Sequence, residues 1–523
     1  MLASNGNLTV SAGSTSAIVT AHGLNVKPQV VVFFAYGGGA TGQRNGTQEF
    51  CFGAMDGTNQ FGSGSTVPDA QTNGDLVAMV NNTSEVLLEV EATGNTVTGR
   101  VAMTSLDSTN FTITPTDAFA SQRFVTWIAL AGITNAFVDA FMMAAAGGSF
   151  SRTAPNFRPD GALIVMPNTA TTMNNVGQRA HYSVGATAGG NQWCAMWARE
   201  EATSNYTIGS VLTDAVAAHS VNATSFIERI QFTSFDATGY TMNRINGSAA
   251  RPLCVICFQG GRPIVGTITA RTGSTGTISV PTVGQTSKFL FLSARPPATA
   301  ADAAPVEPGE VAYGIATGTS QRQTWWKFEH NAEVVGGGSP TDAISNHDSN
   351  LIWRTFTRTA TDTIAQAQSM DIQSIQTDSV TLNQTVVDAN ATLIGYLSMG
   401  DPFYPGIQFP RPSRGSAFDD ITRLMKRPLD FVPAVNLDMS PFAVRAIANA
   451  GQAKPVNLAR LGSMYATAHP GPNPADTVFK FPAPATTFDS TGAGSVAPVT
   501  PPGASGWPDR RRRFIGGSGG PGG

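Results

Sequence analysis

Gly53-Ala54-Met55-Asp56-Gly57-Thr58-Asn59-Gln60 returns 132 residues later as Gly185-Ala186-Thr187-Ala188-Gly189-Gly190-Asn191-Gln192. It returns again, 129 residues further on, as Gly314-Ile315-Ala316-Thr317-Gly318-Thr319-Ser320-Gln321. Working outward, an all-apolar run precedes each copy: Val30 to Phe34, Ala162 to Met166, Phe289 to Leu292. A second signature follows each one. Ser105-Leu-Asp107-Ser-Thr-Asn-Phe111-Thr112-Ile113 is answered by Ser234-Phe-Asp236-Ala-Thr-Gly-Tyr240-Thr241-Met242 and, more faintly, by Ser374-Ile-Gln376-Thr-Asp-Ser-Val380-Thr381-Leu382. Each unit then closes on an apolar run ending in glycine, at Gly132, Gly260 and Gly400. Four landmarks in one order, three times over, mark a tandem repeat, and such arrays are built for display or assembly more often than for catalysis.

The landmarks divide the 523 residues into modules 1–134, 135–262 and 263–400, with a remainder 401–523. Only 13% of residues are charged, while 41% are hydrophobic and 55 are glycine. That balance suits short strands, tight turns and surfaces buried against neighbours. A net charge of −3 predicts no nucleic-acid partner. Residues 1–20 lack the basic start and apolar core of a secretory signal, and apolar runs such as Phe124 to Ile133 are too short to span a bilayer. A chain made in the cytoplasm, with no membrane insertion, is therefore expected.

Within each module the alternation is that of strands. Leu8-Thr-Val10 and Ala17-Ile-Val19 read as a hairpin, as do Gly266 to Thr269 and Ile278 to Val280. Val30 to Phe34 and Ala162 to Met166 are apolar at every position and read as central strands covered on both faces. Phe111, Tyr240 and Val380, with the residues two further on, should face inward while the intervening threonines face out. The glycine segment reads as a turn needing positive φ, its Asn or Ser bonding locally. The expected fold is all-β: three antiparallel sandwiches of jelly-roll or Greek-key type, stacked one after another with almost no linker.

From Asp401 prolines recur every few residues and the landmarks stop. Two short helices are predicted, Ser416 to Lys426 and Ser440 to Asn449, on capping and charge. The rest reads as extended arm that must lie on another surface or stay unfolded.

Candidate chemistry is sparse. Cys254 and Cys257 are spaced as a pair, but three positions along a strand point to opposite faces, and no second Cys or His pair completes a metal site. Asp107 and Asp236 share a repeat position that Gln376 occupies in the third copy, which favours a turn over calcium. No nucleophile elbow or phosphate loop is present. No catalytic residue, cofactor or metal is expected, and the chain is read as not an enzyme. Trp325 and Trp326 are adjacent on a strand, so one must face outward or into an interface: a contact between modules, or a platform for a sugar ring. Arg510, Arg511, Arg512 and Arg513 could anchor the arm on an acidic partner.

The opening Gly23-Leu-Asn-Val-Lys-Pro-Gln-Val-Val-Val-Phe-Phe34 stretch and the Asp107 to Ile113 element resemble virion proteins of tailed bacteriophages. In those proteins a turn, a proline and an all-apolar strand open a sandwich, and a short Ser-Phe-Asp, turn, Gly-Phe-Thr element comes near its end. Phe157-Arg-Pro159 and Phe235 to Met242 carry the likeness in the second copy; the third lacks the proline and the aspartate. The resemblance implies a structural homo-oligomer of the virion, in tail, neck or fibre, whose partners are itself and other virion proteins. The alternatives are a receptor-binding virion protein that takes a host glycan, and a capsid decoration protein.

Overall fold

The computed structural model describes residues 1–402 apart from 38–43, 46–47, 68–77, 92–95, 168–172, 178, 201–206, 221–225, 248, 296–300, 303–308, 330–342 and 359–363, and none from 403 on. The two helices expected near 416–426 and 440–449 and the four arginines at 510–513 lie outside the described residues.

Among the described residues all regular structure is β. The first module holds β1 (Leu2–Val10), β2 (Ile18–Ala21), β3 (Val30–Gly37), β4 (Arg44–Asn45), β5 (Gln48–Met55), β6 (Gln60–Val67), β7 (Ala78–Asn82), β8 (Leu87–Glu91), β9 (Thr96–Leu106), β10 (Asn110–Asp117) and β11 (Arg123–Ala131). The second holds β12 (Asn135–Met143), β13 (Gly148–Arg152), β14 (Gly161–Pro167), β15 (Val176–Gly177), β16 (Arg179–Ala188), β17 (Asn191–Glu200), β18 (Thr207–Leu212), β19 (Ala217–His219), β20 (Glu228–Asp236), β21 (Gly239–Asn246) and β22 (Arg251–Gln259). The third holds β23 (Ile264–Thr269), β24 (Gly276–Pro281), β25 (Gln285–Ala294), β26 (Gly309–Ala316), β27 (Arg322–Glu329), β28 (Ala343–Asp348), β29 (Trp353–Arg358), β30 (Ile364–Ile375), β31 (Ser379–Val386) and β32 (Leu393–Pro402).

One topology is used three times. In the first module the larger sheet runs β1-β11-β3-β5-β6-β7 and the smaller β2-β10-β9-β8; the corresponding strands of the other two take the same order. The first three and last two strands weave between the sheets as in a Greek key, and the middle strands form a meander. The segments expected as opening hairpins are therefore corners: β1 pairs with β11 and β2 with β10, in different sheets, and β23 and β24 divide likewise. Alternation located both strands, but it does not report which sheet a strand joins.

The all-apolar runs have the two buried faces expected of them. In β3, Val31, Phe33 and Ala35 enter the sandwich interior, whereas Val30, Val32 and Phe34 point the other way. Leu163 and Val165 in β14, and Phe289 and Phe291 in β25, share that second direction. These outer faces meet in one apolar centre common to all three modules. Phe34 stacks on Trp325 (centroids 5.0 Å apart) and on Phe291 (5.9 Å). Phe50 meets Tyr182 edge-on at 5.0 Å and Tyr313 face-on at 5.4 Å, so one ring touches both neighbouring modules. Burial at about 25 cal/mol per Å² of apolar surface makes this centre a principal bond between modules.

An end-to-end stack does not fit this arrangement. The sandwiches close on one another in a cycle, because a sheet with two apolar faces cannot leave its outer face to water. Strand exchange follows the same cycle. After its third strand, the first module sends β4 to pair with β28 of the third, and the second sends β15 to pair with β7 of the first. The third sends Asp302, whose backbone N–H donates to Val211 O at the end of β18. Asp302 and Asn174 both adopt positive φ (59° and 62°) and play one part: Asp302 Oδ1 accepts from Thr213 N (2.8 Å), and Asn174 Oδ1 from Thr83 N (3.1 Å).

The repeated glycines have two separate reasons. Gly57 and Gly189 turn with φ +91° and +58°, and Asn59 bonds locally to Asp56 (2.9 Å), as the turn reading expects, whereas Gly318 in the third copy does not take a positive φ. Asp56 also accepts from the backbone N–H groups of Thr58 and Asn59. Gly53, Gly185 and Gly314 lie in strands instead, where the chain crosses from the larger sheet to the smaller. A methyl group there would sit 1.8, 2.2 and 1.9 Å from the carbonyl oxygens of Val86, Val216 and Ile352. These three close approaches are the reason for the first glycine of the motif. Gly185→Ala and Gly314→Ala are expected to cost about 3 kcal/mol or more each, the range of severe overpacking; urea denaturation against wild type measures it.

Candidate functional site

Strand parity sends Trp325 and Trp326 to opposite faces of β27, and both faces are interior. Trp325 is 3% exposed and lies in the common centre against Phe34; Trp326 is 2% exposed and lies inside the third sandwich. Neither ring offers a face to solvent; of the two readings, contact between modules fits and a sugar platform on these rings does not. Trp325 makes the contact between modules. Two other tryptophans, on the aromatic strand that follows the glycine segment in the second copy, do the same. Trp193 packs over Gly395 and donates its indole N–H to Tyr396 O (2.8 Å), and the Lys327 ammonium sits 3.0 Å from the ring centroid of Trp197. Gly395 is small because the indole occupies the space of its Cβ.

The seam between the first and third modules also holds a buried polar group. His347 on β28 is enclosed by Tyr36, Phe124 and Trp325, with ring centroids 4.7 to 5.5 Å away. Its Nε2 lies 2.7 Å from Gln323 Oε1, which also meets the hydroxyl of Thr126 on β11. The Thr126 hydroxyl in turn lies 2.7 Å from Asn7 Oδ1. Burial in this apolar cage pushes the imidazole pKa down from 6.5 to about 3.

Buried carboxylates occur in separate cores. Glu310 accepts from the Trp326 indole N–H, and burial holds its pKa well above the usual carboxylate range. Glu228, pushed up to about 7 by burial, pairs with Arg244 at 2.8 Å and with Arg251 at 3.6 Å. In the first module Arg123 bridges Glu49 (2.8 Å) and Glu89. Each of these acids is engaged by a cation or an N–H inside its own sandwich, an arrangement that neutralises buried charge.

Cys254 faces the common centre and Cys257 the second sandwich, as alternation requires. All four cysteines are buried free thiols, and burial raises their pKa. Asp107 accepts from the backbone N–H groups of Thr109 and Asn110, which lowers its pKa. Asp236 accepts from the hydroxyls of Ser234 and Thr241, and Gln376 N donates to Ser379 O in the equivalent turn. Among the described residues no three His, Cys, Asp or Glu side chains gather in a metal-binding set. The feature these side chains build together is the set of seams joining the modules. No protein-family model and no curated protein matches the chain.

Two measurements test the seam. Trp325→Ala should lower stability by about 3–5 kcal/mol, the cost of emptying a large aromatic site, with loss of the single cooperative transition of the body. For His347, the unfolded ring takes a proton near pH 6.5 and the folded one only near 3. The unfolded state therefore binds more protons between those values. The contribution is intact above pH 6.5, falls on acidification by up to about 1.4 kcal/mol per pH unit, and levels off below 3. His347→Gln should flatten that part of the slope, read from urea midpoints across the window.

Proposed function

We propose that the chain is a non-enzymatic structural component of a tailed-phage virion, placed in tail, neck or fibre. The observation that supports this reading best is the exchange of β4 and β15 between modules, with the Asp302 contact completing the cycle, around a shared aromatic centre. A body joined in that way resists relative movement of its parts under load, which is what a particle component must do. The likeness of Gly23 to Phe34 and Asp107 to Ile113 to virion sandwiches points the same way. In this reading the neighbours are other virion proteins and further copies of the chain, and the Pro-rich arm expected from Asp401 onward fastens the body to them.

The test is to delete 405–523 and follow the product into particles. The truncated chain is expected to stay soluble, keep the far-ultraviolet signature of a β-protein and be missing from purified virions. Incorporation at normal occupancy would refute the fastening role. Absence of the full-length chain from purified particles, by mass spectrometry, would refute the virion role itself.

A further inference from the structure

The corner where the first module meets the second contains a pocket of about 240 Å³. Its lining comes from three places: Thr58, Asn59 and Gln60 from the turn into β6, Thr83 and Ser84 beyond β7, and Val138 with Ala140 on β12. The corner is fixed by Asp56, whose carboxylate accepts from Val138 N across the seam (2.9 Å) and from Asn59 on its own side (2.7 and 2.9 Å). Gln60 is fixed too, its Oε1 accepting from Met103 N (2.8 Å).

Pairing register places the same corner in the other modules. Gly62↔Asn82, Cys194↔Leu212 and Thr324↔Asp348 bring Ser84, Asp214 and Asn350 to one position. Met55↔Gln60, Thr187↔Gln192 and Ala316↔Arg322 bring Gln60, Gln192 and Arg322 to another. In the third module Arg322 spans the two positions, donating to Asn350 O (3.0 Å) and pairing with Asp371. In the second, Asp214 pairs with Arg229, and its backbone N–H donates to Asp302 (3.2 Å). In the first module neither ionic tie exists at these positions. The hydroxyls of Thr58, Thr83 and Ser84 and the Gln60 amide nitrogen have no hydrogen-bond partner among the described residues.

We infer that this corner is a binding pocket for one ring of a neutral saccharide. The chemistry selects that class. Hydroxyls that both donate and accept, beside an amide donor, match vicinal sugar hydroxyls. Val138 and Ala140 supply a small apolar wall for the C–H face of a ring. No charged side chain lines the pocket, so it offers nothing to neutralise a phosphate, a carboxylate or a metal ion. The volume falls below the roughly 300–1,000 Å³ of pockets for drug-sized ligands and suits a single ring. With few hydrogen bonds and no aromatic platform, one ring binds weakly, and useful strength comes from several copies of the site engaging one polysaccharide. The pocket itself stands apart from the assembly role, since a particle component can carry it or lack it; its strength through several copies rests on the proposed self-association.

Saturation-transfer NMR on the full chain, with methyl glycosides of glucose, galactose, mannose and rhamnose as probes and inorganic phosphate as the anionic control, tests it. At least one neutral glycoside is expected to receive saturation. Thr83→Val, which removes one hydroxyl at constant volume, should weaken its apparent affinity on the order of fivefold, the worth of one hydrogen bond. Ser84→Trp, placed on the exposed rim, should abolish the signal. Thermal melts matching wild type establish that both variants fold. No transfer to any neutral glycoside, transfer unchanged in both variants, or competition of the signal by phosphate would overturn the proposal.

Discussion

The architecture depends on one constraint: each larger sheet is apolar on both faces. Inside its own module the smaller sheet covers one face, through residues such as Val31 and Phe33. The opposite face, carrying Phe34, Tyr182 or Phe291, has no cover within its own module. Three such faces brought together cover one another, and the rings settle at offset or edge-on separations that aromatic pairs favour. Closure into a cycle follows, because an open row would leave an apolar face at each end in water.

Polar groups at the seams refine this apolar contact. The Thr126, Gln323 and His347 cluster joins the first and third modules, and the Tyr182 hydroxyl donates to Ser63 Oγ (2.9 Å) between the second and the first. A buried polar group costs little when satisfied and much when displaced. These groups therefore fix the angle at which the modules meet, while the aromatic rings provide most of the attraction. Strand exchange adds a second constraint by covering sheet edges that would otherwise invite pairing with foreign chains.

Much of the fold could be read from the sequence, because the signals are local. Val30 to Phe34 announced burial on both faces, and Phe111 and Ile113, Tyr240 and Met242, and Val380 and Leu382 all face inward as alternation predicts. What covers the second face could not be read, since hydrophobicity records that a surface is buried but not by which partner. Trp325 and Trp326 illustrate the limit. Parity separates them, yet only the closed cycle makes both destinations interior. The glycines at 53, 185 and 314 answer to a strand crossing above them, a tertiary fact with no local trace. The corner pocket was half legible: its turn residues belong to the repeat motif, whereas Thr83, Ser84 and Val138 arrive from segments that resemble ordinary loop and strand.

The exchange of strands has a consequence for biosynthesis. Arg44 and Asn45 leave the ribosome early, but their partners Asn346 and Ser345 are made only when most of the body has been translated. Until then the first sandwich carries an unmatched outer face and a sheet edge awaiting β15 from the second. Such long-range closure is slow compared with local pairing, and the nascent chain is most prone to clump in that interval. Fusing the three units into one polypeptide offsets this delay, because the copies required for closure arrive at fixed stoichiometry and cannot drift apart.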